Sequence, residues 1–135
     1  LGPLGISVTR QGRRVTVQLP NSKLFKKGLK PRLREDSAML LDLSSTALRL
    51  HPEHSILIEA HSDDQSPNSS TYPTNWELSA ARAAAVARAL IDTYSVEAGR
   101  ITIASRAHMD PISENSSAEG RASNRRVLLH IESKE

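Results

Sequence analysis

At 135 residues the chain has the size of one ordinary domain, and its 38% hydrophobic but only 3% aromatic content points to a core of Leu, Ile, Val and Ala. A formal charge of +3 does not by itself call for nucleic acid, and a cysteine count of zero excludes disulfides and Cys-ligated metals without locating the compartment. No run approaches the ~18 apolar residues of a membrane span, and the start lacks the basic-then-apolar pattern of a signal peptide.

Residues 1–5, LGPLG, read as the remnant of a cleaved tag, which makes the chain a fragment; they are set aside from the fold. In 6–20, VTVQL alternates, with Val15, Val17 and Leu19 on one side. This predicts a half-buried strand preceded by a hairpin arm at 6–9 and a turn at 10–14. The stretch 23–34, KLFKKGLKPRLR, is the most basic in the chain. It reads either as a contact for an anionic polymer or membrane surface, or as a solvated loop pinned to the core by Leu24, Phe25 and Leu29. With one aromatic and no nucleic-acid motif, the second reading leads.

A helix is expected over 36–50, with Leu40, Leu43, Ala47 and Leu50 as its apolar stripe, Leu41 and Leu48 widening it, and Asp36 or Ser37 as its cap. His51-Pro52-Glu53-His54 ends it as a surface turn; the proline spoils the register that would align the imidazoles on a metal. Residues 55–60 form a second strand with Ile56, Ile58 and Ala60 on one face, followed by a polar loop. Thr74 and Glu77 make a capping box for a long helix to about residue 94, whose core face carries Leu78, Val86 and Leu90. A short strand at 100–105, a polar loop with one helical turn near 118–122, and a last strand at 127–131 complete the order β(β)αβαββ. The domain organisation is a hairpin and basic connecting segment at 6–34, then the main unit at 35–135.

Enzyme signatures are lacking. Asp63 and Asp64 are adjacent and point apart, so they make a poor acid–base pair. There is no G-x-S-x-G elbow, H-E-x-x-H, P-loop or G-x-G-x-x-G. A non-catalytic chain without cofactor or metal is expected. Binding reads better. Asp63 sits where a strand ends, a usual place for ligand loops, and can hold an ammonium. Arg82, one helical turn from both Leu78 and Val86, offers a planar fork suited to a carboxylate. Together they can grip a zwitterion, or they can simply form a salt bridge that fixes the loop.

The blocks His61-Ser62-Asp63, Asn75-Trp76-Glu77-Leu78-Ser79-Ala80-Ala81-Arg82-Ala83 and Gly120-Arg121-Ala122-Ser123-Asn124-Arg125-Arg126-Val127 resemble the OmpA-like peptidoglycan-binding domain over about residues 55–132. Within that family the loop S-T-Y-P-T-N-W-E-L-S is similar to the periplasmic domain of flagellar stator B subunits (MotB and PomB), and much of it is shared with type VI secretion anchors. The resemblance implies an α+β sandwich, a mixed sheet with helices on one face, and non-catalytic binding of the diaminopimelate of the wall's stem peptide. It further implies that Asp63 takes the ammonium and Arg82 the carboxylate, that Asn75 and Leu78 shape the pocket with His61 beside them, and that Arg121, Asn124 and Arg126 flank or brace it. A homodimer in the periplasm of a Gram-negative cell, joined to a membrane channel subunit through an N-terminal span absent here, is implied in the same way. No nucleic-acid partner is. The chain departs from the family where Ala60-His61-Ser62-Asp63 replaces Gly-His-Thr-Asp and Arg106-Ala107-His108-Met109 replaces the usual glycines. Competing readings are a scaffold that has lost wall binding and a polyanion binder using 10–14 and 23–34.

Overall fold

Alternation in the first segment is used as expected. A computed structural model describes residues 6–133, so residues 1–5, expected to be a tag remnant, lie outside the described residues. Strands β1 (Ser7–Gln11) and β2 (Arg14–Pro20) form an antiparallel hairpin. Its turn is Gly12-Arg13, narrower than the sequence suggests, with Gly12 at φ +61°, a conformation that costs glycine nothing. The chain continues through a single helical turn α1 (Asn21–Leu24), helix α2 (Ala38–Leu50), β3 (Ser55–His61), α3 (Asn75–Asp92), β4 (Ile101–Ala107), α4 (Ala118–Asn124) and β5 (Arg126–Glu132).

The five strands make one mixed sheet in the order β1-β2-β5-β3-β4, antiparallel except for the β3–β4 pair. That parallel pair is bridged by α3, as a βαβ unit requires. Side-chain parity decides the layers. Ile56, Ile58 and Ala60 of β3 and Val127 and Leu129 of β5 join Ala83, Val86 and Leu90 of α3 in one core, each at most 1% exposed. The alanines of α3 let the helix lie close to the sheet, and its capping box forms as expected, Thr74 and Glu77 satisfying each other's backbone donors.

Helix α2 corrects the expected stripe. Leu41, Ser45 and Leu48 are buried, whereas Leu43 and Leu50 are 64% and 71% exposed and Ala47 is also exposed. A helix this rich in leucine offers two stripes of equal period, and the core takes the one with a small residue at its centre. Ser45 closes its hydroxyl onto the Asp42 carbonyl (2.8 Å) and can be buried without an unpaired group. The expected cap is also absent: Ser37 is already helical, its hydroxyl donates to the Arg34 carbonyl (2.6 Å), and Arg34 forks onto Asp36 with both contacts at 2.9 Å. In the basic segment Leu24 and Phe25 are buried as expected, but Leu29 is 38% exposed and serves the site instead.

No helix among the described residues is long and apolar enough to cross a membrane.

Candidate functional site

The loop leaving β3 and the first turns of α3 enclose a cleft of about 320 Å³, lined by Asp63, Asn75, Leu78, Arg82 and Arg125, with Leu29 of the basic segment at its lip. Asn75 opens α3 and donates its side-chain amide to the carbonyls of Asp63 (3.3 Å) and Gln65 (3.0 Å), stitching the loop to the helix. Asp63 is 6% exposed; one carboxylate oxygen accepts from the Gln65 N–H (3.0 Å), the other from Arg125 Nη1 (2.6 Å). Each oxygen has a second lone pair, so the carboxylate can take an ammonium without giving up either bond.

The structure therefore places Asp63 and Arg82 in one cleft, but the salt bridge at Asp63 is made by Arg125. Arg82 lies half-buried, its guanidinium 5.9 Å from the centre of the Phe25 ring, with no hydrogen bond or ion pair among the described residues and its Nε wholly buried. Burial first, and the like charge of Arg125 second, lower its proton affinity, with Asp63 and Tyr72 opposing. A guanidinium stays charged even so. Arg82 is thus a partly desolvated cation with no salt-bridge partner among the described residues.

Arg125 was not among the residues expected from the sequence, yet parity could have found it. With Val127 and Leu129 facing the helices, Arg125 shares their side and Arg126 takes the other. Indeed Arg126 lines no part of the cleft; it donates to the carbonyls of Asn124 (3.1 Å) and Asp110 (2.9 Å). Arg121 likewise braces the loop after β4, donating to the Asn115 carbonyl (3.0 Å). Asn124, fully buried, accepts from the N–H groups of Ile112 (2.8 Å) and Ser113 (3.0 Å) and donates to Ser113 O (2.9 Å) and Asn115 Oδ1 (2.8 Å). Asn124→Ala should cost about 1–3 kcal/mol in urea unfolding, since it strips four bonds from a closed site; an unchanged midpoint would mean the loop is held by other means.

His61 also lies outside the cleft. It shares the helix-free face of the sheet with Glu59 and His130: its Nε2 meets Glu59 at 2.5 Å, and Glu59 reaches His130 at 3.4 Å. Burial, and after it the charge of Arg126, push the His61 imidazole below its ordinary 6.5 despite the neighbouring Glu59. The unfolded chain therefore binds more protons than the folded one as pH falls through 6.5, and stability drops in that window. His61→Gln should flatten the slope of unfolding free energy between pH 7.5 and 5.5; an unaltered slope would assign it to other groups.

The His-Pro-Glu-His turn also differs from expectation. The proline does not part the imidazoles: His51 and His54 stack with centroids 4.6 Å apart, beside Glu53. The three offer donor atoms within 4.8 Å of one another, outside the cleft.

The sequence model of the OmpA family matches residues 24–125. Among curated proteins the chain is 34% identical to the probable lipoprotein YiaD of Escherichia coli, covering 94% of this chain and 55% of that protein. It is 30% identical to Motility protein B of Bacillus subtilis, covering 95% and 48% respectively, so it spans about half the length of these relatives. The solved structure of the cell wall anchor of the type VI secretion system from Pseudomonas aeruginosa superposes with a TM-score of 0.85 at 35% identity, over 96% of this chain and 88% of that one.

Proposed function

The chain belongs to the OmpA family, and we propose that it is a non-catalytic module that binds peptidoglycan, gripping the diaminopimelate of the stem peptide between Asp63 and Arg82. The observation that carries this reading is the state of Arg82, a half-buried guanidinium with neither hydrogen bond nor ion pair among the described residues, in one cleft with an acceptor-rich Asp63. A carboxylate answers the first and an ammonium the second, and one zwitterionic end of diaminopimelate supplies both. Asn75 and Leu78 set the shape of the cleft. Asn124, Arg121 and Arg126 act at a distance, through the loop and helix that carry Arg125.

The wall grip would anchor a stator-type ion-channel complex, with two copies of the domain in the periplasm and a membrane segment outside this chain. A second reading, an anchor of a secretion system, is favoured by the 35% identity to the type VI structure. Both use the same grip.

The test is sedimentation with purified, insoluble peptidoglycan. The protein should pellet with the wall, be competed off by diaminopimelate, and stay in solution as Asp63→Ala, with binding weakened at least about tenfold. A parent protein that remains in the supernatant would remove the wall reading and leave the scaffold one.

A further inference from the structure

A second cavity of about 350 Å³ shares Arg82 and Arg125 with the cleft, and its other walls include Asn21, Phe25, Lys26 and Lys27. Its charge is unbalanced. Arg34 is matched by Asp36 and Arg125 by Asp63, while Lys26, Lys27 and Arg82 have no carboxylate partner among the described residues. Asn21 adds an independent sign. It is 7% exposed, its backbone is fully used (N–H to Arg125 O at 2.9 Å, carbonyl from Phe25 N at 2.8 Å), yet neither its Nδ2 nor its Oδ1 has a partner. Buried amides are nearly always satisfied, because leaving one unpaired costs free energy. The Asn21 Nδ2 and the Arg82 Nε are two unsatisfied donors on one basic cavity and call for an acceptor, whereas the Asn21 Oδ1 calls for a donor beside it.

We infer that this cavity is a second subsite, for an oxyanion, in which Lys26, Lys27 and Arg82 supply the charge and the Asn21 amide a directed hydrogen bond. Only the choice of natural source rests on the wall reading: a second carboxylate of the same stem peptide, reached across Arg82 from the diaminopimelate cleft. Free phosphate has the same chemistry. The basic segment 23–34 is then neither a polyanion strip nor mere solvated loop, but one wall of a two-chambered site. Such a site would favour a ligand that adds a further carboxylate to the diaminopimelate unit over diaminopimelate alone.

The test follows the Asn21 side-chain amide by NMR, at constant ionic strength, during titration with inorganic phosphate. Its resonances should shift saturably in the parent and not in the Lys26→Gln/Lys27→Gln double variant, which should fold normally because both lysines are exposed. An amide that ignores phosphate, or responds identically in the double variant, would overturn the subsite. A second arm compares diaminopimelate with the tripeptide L-alanyl-γ-D-glutamyl-diaminopimelate by calorimetry. The tripeptide should bind the parent about tenfold tighter than diaminopimelate, and the double variant no tighter. A phosphate response with no tripeptide advantage would keep the oxyanion subsite and assign it to free phosphate. Failure of the wall reading looks different: neither wall compound binds, while the phosphate response of Asn21 stands.

Discussion

Arg82→Met should produce a protein that no longer sediments with peptidoglycan yet unfolds no more easily than its parent. The two effects have opposite signs because Arg82 has an unusual position in the free protein. It lines the cleft with Leu78, and its guanidinium, over the Phe25 ring, is a partly desolvated charge with no salt-bridge partner among the described residues. Methionine keeps the apolar stem and removes the charge. Replacing an uncompensated, half-buried cation by an apolar side chain of similar reach is neutral or stabilising, here by up to about 1 kcal/mol. Loss of the ligand's carboxylate partner should cost binding about 2–3 kcal/mol, a drop of roughly 30- to 150-fold. A structural Arg82 would behave otherwise, with stability and binding falling together. Thermal unfolding measured beside the wall pull-down separates the two, and a melting temperature lowered by several degrees would mean that Arg82 serves the fold.

Gly120→Ala should be strongly destabilising, although it adds only one methyl group. In an ordinary helix the exchange would stabilise by roughly 1 kcal/mol, since alanine is the better helix former. Here a Cβ on Gly120 would lie 1.7 Å from the Glu114 carbonyl oxygen and 2.9 Å from its carbon, with Ser117 Oγ at 3.0 Å. Those are backbone atoms of a loop that Asn124 staples in place, and Ser117 is itself the cap of α4, accepting from the Gly120 N–H at 3.0 Å. Neither side can give way without dismantling the other. The expected loss is at least about 3 kcal/mol, or some 10 °C of melting temperature. Circular dichroism would read it directly, and a variant melting with the parent would show that α4 can shift at no cost. Because α4 carries Arg125 at its end, wall binding should fail along with stability. The glycine of the G-R-x-x-N-R-R-V motif is thus explained by close approach alone, without any contact to ligand.

Much of this is legible in the sequence. Alternation at Val15, Val17 and Leu19, at Ile56, Ile58 and Ala60, and at Val127, Leu129 and Ile131 predicts three strands, and the Thr74–Glu77 box predicts where the long helix starts. These signals are local: they follow from the period of a strand or helix and from the exposed amides at a helix end. Strand parity reaches the site as well. Applied to β3 and β5 it removes His61 and Arg126 from the helix side and puts Arg125 there.

Other features depend on what meets across the fold. Which of two leucine stripes α2 buries was open in the sequence, because both have helical period; the sheet beneath chose Leu41, Ser45 and Leu48. The partner of Asp63 is 62 residues away, and only the antiparallel β3–β5 pairing brings Arg125 to it. The basic segment 23–34 reads as solvated charge until its return between β2 and α2 sets Leu29 and the lysines against Arg82. The elements and the types of charge available for binding depend on neighbours along the chain and can be read there. Which charges cancel and which is left over emerges from the fold, because a counter-charge is a matter of distance in space.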